Sequence, residues 1–399
     1  MCESMDGSEE KPKNVRELLI ETKEVCDLII DLAYASVLYE DMEIAEQVRK
    51  LENRMDELMY QIRALVSISV RSHEDAESTT GILQIASAAE SISNAAGDIA
   101  NLVIRKKKIH PVVKNALIEA DEKISKIQVG ENPDLTGERV EELNFPSLLG
   151  IRILALKRDG SWGIPPEEDE IIHEGDILFV RGPRDGIDKF SYMADTEPKS
   201  WKTEKIHESL RKNLSEMKDN SSSLVDMAFS SVLFNSEEVA EEVRGLEEKF
   251  DELYYKGWRK ALKAAKKEKE VTSLTSALQM VKSLETITDA ADSIADVVLR
   301  GLEIHPVFAQ ALGETEEKIA RLEISRNSSV VGQKLEDLEL WRRMGIWVLA
   351  MKKGGHSFPY PRGSQRVGPN DKIIVQGPVE KINELSEVTR GKREWTHLK

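Results

Sequence analysis

The feature that most constrains this chain is an internal duplication. At an offset of 195 residues, as from Glu90 to Glu285, the sequence repeats itself with almost no insertion or deletion. Asp31-Leu-Ala-Tyr-Ala-Ser-Val-Leu-Tyr39 returns as Asp226-Met-Ala-Phe-Ser-Ser-Val-Leu-Phe234. Leu51-Glu52-Asn-Arg-Met-Asp56-Glu57-Leu58 returns as Leu246-Glu247-Glu-Lys-Phe-Asp251-Glu252-Leu253. Ile109-His110-Pro111 returns as Ile304-His305-Pro306, and Gly182-Pro183 as Gly377-Pro378. A period this long is a tandem of whole modules, because solenoid repeats are far shorter. Whatever one half folds into, the other half must fold into as well.

Each half changes its hydrophobic period midway. Residues from about Val15 to Ile127 read as helix: Val15 to Leu38, Asp41 to Ile68, Ser78 to Lys107 and Pro111 to Lys126. Leu51, Met55, Leu58, Ile62 and Leu65 form the apolar stripe of the second. Pro111 suits a first turn, where its missing N–H costs nothing. Long amphipathic helices with short joints predict an antiparallel bundle. Gly150 to Arg158 then reads as a strand with Ile151, Ile153 and Ala155 on one face. Asp159-Gly160 reads as a hairpin turn and Ile177 to Arg181 as a further strand. Glu138 to Leu143 and Gly186 to Met193 read as short helices, and Val330 to Ser386 repeats the unit. The polar stretch Glu197 to Thr203 links the halves, and the tail Arg390 to Lys399 reads as loose. The expected class is mainly α with α+β. The expected units are a bundle at 14–128, an α/β domain at 129–196, a second bundle at 204–323 and a second α/β domain at 324–390.

The most unusual chemistry lies on the third helix of each half. Glu285, Asp289, Asp292 and Asp296 are spaced i, i+4, i+7 and i+11, so one helix face is acidic. Ile287, Ala291, Ile294 and Ala295 form the apolar face beside it. Like charges four apart disfavour a helix, so such a stripe needs water, cationic side chains or a metal. The first half reads Glu90, Asn94, Gly97 and Asn101 at these positions. Glu52 with Asp56, and Glu247 with Asp251, add carboxylate pairs on the second helices. Two helices each offering two oxygens can surround a hard or borderline cation, divalent or iron-type. The alternative is a solvated charged face. No His or Cys lies on these stripes, which disfavours zinc. If one half binds metal, it should be the second.

Arg105-Lys-Lys-Lys108 is a second candidate, a contact for phosphate or an acidic partner, against the alternative of cations on a helix C-terminus. His110 and His305 each precede a helix-starting proline, so a structural role at the joint is expected. Arg158 and Lys353 hold equivalent strand-end positions and read as solvated. The net charge of −16 argues against nucleic acid or an anionic membrane surface as the main partner. Cys2 and Cys26 have no equivalents in the second half, which excludes a disulfide framework and fits a reducing compartment. Residues 1–13 do not resemble a signal peptide, and no apolar run approaches 18 residues, so no membrane span and a cytoplasmic site are expected. No G-x-S-x-G, P-loop or nucleophile–base pair is present, so an enzyme is not expected.

The helical halves resemble the PhoU family. The resemblance rests on Val37-Leu-Tyr-Glu-Asp41-Met-Glu-Ile-Ala45-Glu46-Gln-Val48, on the carboxylates four apart in the second helix and on Glu-x-x-x-Asp in the third. The α/β halves resemble the TrkA-C, or RCK-C, module. Here the signal is Leu135-Thr-Gly137, Gly-Ile-x-Ile-x-Ala-Leu-x-Arg, Pro165-Pro166, Gly175-Asp176 and Gly182, echoed by Val331-Gly332, Gly345-Ile346, Lys353, Pro361 and Asn370-Asp371. The PhoU resemblance implies metal binding through Glu52, Asp56, Glu90, Glu247, Asp251, Glu285 and Asp289, and regulatory work beside a membrane transporter. The TrkA-C resemblance implies a homodimer, a small effector such as a cyclic dinucleotide, and control of a cation channel or transporter, most simply of potassium. A metal-binding or phosphate-signalling adaptor of PhoU type is the alternative. Many such regulators carry a Rossmann module for NAD; no G-x-G-x-x-G follows any strand here, so NAD is not expected.

Overall fold

The structure, a computed structural model, describes residues 14–395 apart from 132–134, 141–142, 144, 146–148, 150, 168, 234, 268–270, 303–316, 345, 355, 360 and 362. The first half opens with α1 (Val15–Tyr39), α2 (Met42–Ser69), α3 (His73–Ile104) and α4 (Pro111–Glu119). Strands β1 (Lys123–Gln128), β2 (Arg152–Arg158), β3 (Ser161–Gly163) and β4 (Ile177–Gly182) follow, with α5 (Arg184–Met193). The second half gives α6 (Glu208–Leu233), α7 (Glu237–Ala265), a 3-10 turn (Val271–Leu274) and α8 (Thr275–Leu299). It ends with β5 (Glu317–Glu323), α9 (Leu335–Leu338), α10 (Leu340–Met344), β6 (Trp347–Lys353), β7 (His356–Pro359), β8 (Lys372–Pro378) and α11 (Val379–Thr389).

Caps set the helix boundaries. Asn14 accepts from the Glu17 N–H at 3.0 Å while Glu17 accepts from the Asn14 N–H at 3.0 Å, a reciprocal box that starts α1. The α1–α2 joint is a left-handed residue, Glu40 at φ 48°, followed by the cap Asp41. Asn235 at φ 44° and Ser236 repeat that joint. Ser72 and Asp75 box the start of α3, which places it at His73 rather than Ser78. Lys106 at φ 48° stops it short of Lys107.

Helices α1 to α3 form one three-helix bundle and α6 to α8 the other. The two share a single hydrophobic core, because α3 packs on α8 and α1 on α6. Both contacts are antiparallel and obey a pseudo-two-fold axis. Gln84 donates to the Ser293 carbonyl at 2.7 Å and to Asp296 at 3.2 Å, and its repeat equivalent Gln279 donates to Asp98 at 3.4 Å. Small residues permit the approach: Ala86, Ala89, Ala96 and Ala100 of α3, and Ala277, Ala291 and Ala295 of α8, are fully or almost fully buried.

Each α/β unit is a four-stranded antiparallel sheet, of order β1-β4-β2-β3 and β5-β8-β6-β7. Helix four proves shorter than its apolar spacing suggested. It ends at Glu119, and β1 occupies part of the expected helix, ahead of the boundary placed at 129. Ile124 and Ile127 are three apart because they lie on opposite faces of a strand. Ile124 enters the bundle core and Ile127 the separate core beneath α5. A bulge between Ile153 and Ala155 likewise breaks the expected common face of β2. Ile151 and Ile153 face the α5 side, while Leu154 and Ala155 turn to the bundle. Of the helix expected over Glu138 to Leu143, Arg139 instead bridges to Ile171, and residues 141–142 lie outside the described residues. The helix expected after Pro306 also lies outside them. The tail is anchored rather than loose as far as Trp395, whose ring is buried and whose N–H donates to Ser329 Oγ at 2.8 Å.

The two sheets dock on the bundles differently. The first docks through Phe179 of β4, on which Trp162 of β3 stacks within the sheet at 5.7 Å and which Tyr39 of α1 meets edge-on at 6.4 Å. Ion pairs surround this contact. Arg181 of β4 reaches Asp31 of α1 at 2.9 Å and Glu122 at 3.1 Å, and Lys157 reaches Glu43 at 2.5 Å. Lys23 bonds Asp27 at 2.6 Å and faces Asp226 at 3.7 Å. Burial raises the Asp31 carboxyl above its usual range, against the pull of Arg181. At the second sheet Ile374 replaces Phe179. A cleft of about 100 Å³ opens there, lined by Glu238, Glu241 and Glu242 of α7 and by Arg321, Lys352 and Lys372 of the sheet.

A buried carboxylate that loses its cation is costly. Arg181→Ala should destabilise the first half by about 3–5 kcal/mol, read as a lower urea midpoint. A loss below 1 kcal/mol would show that the pair is dispensable.

Candidate functional site

The acidic residues sit where the second and third helices of each bundle face one another. In the second half, Glu247 and Asp251 project from α7, and Glu285 and Asp289 from α8. They are close enough to perturb one another. Burial, then Asp251, Asp292 and Asp289, push Glu247 up to about 7. Burial, then Asp289, Asp251 and Glu247, push Glu285 up to about 8. Burial, Asp251 and Asp292 also raise Asp289. The Oε2 atom of Glu285 is buried and accepts no hydrogen bond.

The expected four-residue stripe on α8 is divided. Arg244 bonds Asp292 at 3.2 Å and Asp296 at 2.7 Å, and Arg300 bonds Asp296 at 2.5 Å. Burial opposes ionisation of Asp296, but hydrogen bonds from Arg244 and Gln84 and the charge of Arg300 hold its carboxyl below the usual range. Asp292 and Asp296 are therefore paired with arginine from within the protein, although the charge of Asp292 still acts on Glu247 and Asp289. Glu285 and Asp289 are left to Glu247 and Asp251.

The first half assembles a weaker version. Glu52 is raised by burial, Asp56 and Asp98. Glu90 is drawn away to Arg63 at 2.5 Å. The residue at the position of Arg63 in the second half is Trp258, which carries no charge to offer Glu285. Gly97 leaves room for the Glu52 carboxylate, since a Cβ there would stand 2.8 Å from Glu52 Oε2. Asp292 holds that position in the second half. With Gly97 and Asn101 in place of two aspartates, Arg49, the counterpart of Arg244, pairs with Glu46 at 2.8 Å instead.

The structure thus brings Glu247, Asp251, Glu285 and Asp289 together, and groups Glu52 with Asp56 while Glu90 is engaged elsewhere. The donors are oxygens only, which suits a hard cation rather than a thiophilic one. Among the described residues, no group of three or more His, Cys, Asp or Glu side chains is placed to hold a metal ion.

Two other candidates resolve into structural roles. His110 caps α4: its Nδ1 accepts from the Val112 N–H at 3.1 Å, and its own N–H donates to Ser276 Oγ at 3.0 Å. His305 lies outside the described residues. Arg158 is engaged in ion pairs rather than merely solvated. It bonds both Asp176 oxygens at 2.8 and 2.7 Å, Glu170 at 2.8 Å and the Ile171 carbonyl at 2.6 Å, so it locks the Gly175-Asp176 turn. Lys353 does the same more loosely, 3.8 Å from Asp371 and 2.9 Å from the Arg366 carbonyl. The recurrence of a strand-end cation with a Gly-Asp or Asn-Asp turn was the signal for this lock.

The carboxyls of Glu247 and Glu285 carry a pH signature. Their folded values lie above the ordinary 4.5, so their stabilising contribution is complete below about pH 4.5 and is lost as pH rises through about 7 to 8. Solvent reaches both side chains and reduces the size of the effect. Glu285→Gln should raise Tm by roughly 2–4 °C at pH 8 and by much less at pH 5. An equal shift at both pH values would refute the crowding of charge at this cluster.

Comparison with known proteins follows the same division of the chain. The TrkA-C domain model matches residues 124–192 and 319–389, and the PhoU domain model matches residues 19–103 and 214–298. Ktr system potassium uptake protein C of Bacillus subtilis (strain 168) is 32% identical over 88 residues, which cover 21% of this chain and 40% of that protein. The match therefore spans less than half of that relative. Among solved structures, PhoU from Pseudomonas aeruginosa is 13% identical with a TM-score of 0.40, over 72% of this chain and 96% of that one. The phosphate transport system regulatory protein PhoU from Streptococcus pneumoniae is 11% identical with a TM-score of 0.42, over 71% and 91%. The chain belongs to the PhoU and TrkA-C domain families, with each domain present twice in alternating order.

Proposed function

We propose that this protein regulates monovalent-cation transport, with potassium as the cation, by acting on a membrane channel or transporter. The observation that carries this reading is the duplicated TrkA-C domain, together with the 32% identity to a Ktr potassium uptake protein over 88 residues. No helix among the described residues is long and apolar enough to cross a membrane. We place the protein in the cytoplasm, as a homodimer paired through TrkA-C domains, with a cyclic dinucleotide as the effector class; these three points rest on the TrkA-C resemblance.

The docking of the sheets supplies a mechanism. An effector shifts an equilibrium only by binding two arrangements unequally. The first sheet meets its bundle through the edge-on Tyr39–Phe179 pair and ion pairs. The second faces its bundle across a cleft with three glutamates on one wall and three cations on the other. On this reading the second contact is the one that rearranges.

A second reading is favoured by the unpartnered Glu285 Oε2. A PhoU-type adaptor would hold a cation at Glu247, Asp251, Glu285 and Asp289, relieving their mutual repulsion. The oxygen-only donor set fits a hard or iron-type ion, and the side chains would have to turn inward to close round it.

The regulator reading is tested by potassium or rubidium uptake in cells with and without the gene. A several-fold change, restored by the intact protein, is expected; unchanged flux would sink it. The adaptor reading is tested by elemental analysis of the purified chain beside a Glu285→Gln, Asp289→Asn variant. Stoichiometric metal in the parent and its loss in the variant are expected on that reading. Absence of metal from both removes it.

A further inference from the structure

One end of the helical assembly carries a surface unlike the rest of this acidic protein. From Tyr254 to Lys267 the chain holds six Lys and Arg and no Asp or Glu, against a net charge of −16 overall. This is the C-terminal half of α7 and the two residues beyond it. Helical spacing places Tyr255, Arg259, Leu262 and Lys266 in one stripe, with Lys256, Lys263 and Lys267 beside it. Tyr255 is 62% and Leu262 is 57% exposed. Lys256, Arg259, Lys263, Lys266 and Lys267 are exposed as well, with Lys256 paired to Glu252 at 3.0 Å.

The sequence candidate Arg105 to Lys108 belongs to the same end. Helix α3 runs antiparallel to α8, and the His110 N–H meets Ser276 in the first turn of α8. The exposed run that follows α3 therefore emerges where α7 hands over to α8. At the opposite end the repeat equivalent of Tyr255 is Tyr60, which is exposed together with Ile68. That stretch has only Arg63 and Arg71, and Arg63 is tied to Glu90. The apolar component recurs at both ends, but the cations are concentrated at one.

We propose that the α7–α8 end of the bundle docks on an anionic lipid bilayer surface. Charge complementarity selects an anionic partner. The apolar Tyr255 and Leu262 among the cations select a bilayer, whose interface accepts apolar groups and phosphates together. Long Lys and Arg stems let the charged heads stay at headgroup level while Leu262 enters the layer beneath. The net negative charge of the remainder then turns the rest of the protein away from the surface, which sets its orientation. The inference goes beyond the transport reading and does not rest on it, because no transporter takes part.

The test is flotation of the full chain with vesicles of phosphatidylglycerol and phosphatidylcholine, and with phosphatidylcholine alone. Binding to the anionic vesicles is expected at about 0.1 M salt and its loss at about 0.5 M. Each cation adds about fivefold to the partition, so Lys263→Gln, Lys266→Gln and Lys267→Gln together should weaken it about a hundredfold. Leu262→Ser should weaken it several-fold, and Arg71→Gln at the other end should leave it unchanged. These residues are exposed, and an unchanged Tm verifies that the variants fold. Failure of the parent to float with anionic vesicles would overturn the proposal, as would variants that float like the parent. Retention of duplex DNA or an acidic peptide without vesicle binding would also overturn it and reassign the patch.

Discussion

The rest of the molecule depends on the antiparallel contact of α3 with α8. Two modules that differ in sequence at most positions are joined there into one core, and only small side chains allow the helices to come so close. A Cβ on Gly81 would stand 2.9 Å from Val297 Cγ1, which measures how little space remains. The contact turns the inner faces of both third helices toward each other. Their outer faces are left to the second helices, and the carboxylates gather along those outer seams. The buried α1–α6 contact follows the same axis. Lys23 faces Asp226, while the charge of Lys218, its repeat equivalent, acts on Asp31.

Within this symmetric frame the two copies have diverged in charge rather than in fold. Arg63 neutralises Glu90, and the corresponding Trp258 cannot do the same for Glu285. Gly97 admits a glutamate where Asp292 and Asp296 instead engage Arg244. The first seam thereby keeps Glu52, Asp56 and Asp98 as its crowded carboxyls, and in the second burial and neighbouring carboxyls push Glu247 and Glu285 up to about 7 and about 8. The sheets diverge in the same sense. Phe179, Trp162 and Tyr39 give the first an aromatic cluster, and Ile374 with its charged neighbours gives the second a cleft.

The duplication, the helical and α/β halves of each module, the hairpin at Asp159-Gly160 and the acidic pairs were legible in the sequence, because each is a matter of local spacing. Periodicity failed where a residue's neighbours come from elsewhere. Ile124 and Ile127 imitate a helix because two different cores claim them from opposite faces of one strand. Ala155 leaves the face of Ile153 because a bulge intervenes. Arg158 reads as solvated until the Asp176 turn folds over it, and Trp395 reads as tail until the second α/β core receives it.

The sequence by itself determined that two copies of one module exist, that each joins a helical half to an α/β half, and which residues form the acidic stripes. Those properties follow from the helical and strand periods, which act over a few residues. Only the tertiary structure decided that the two bundles share one core, which carboxylates are neutralised, and which remain for one another. Electrostatic balance is set by groups brought together across elements, and spacing along the chain holds no record of the arginine that arrives from a neighbouring helix.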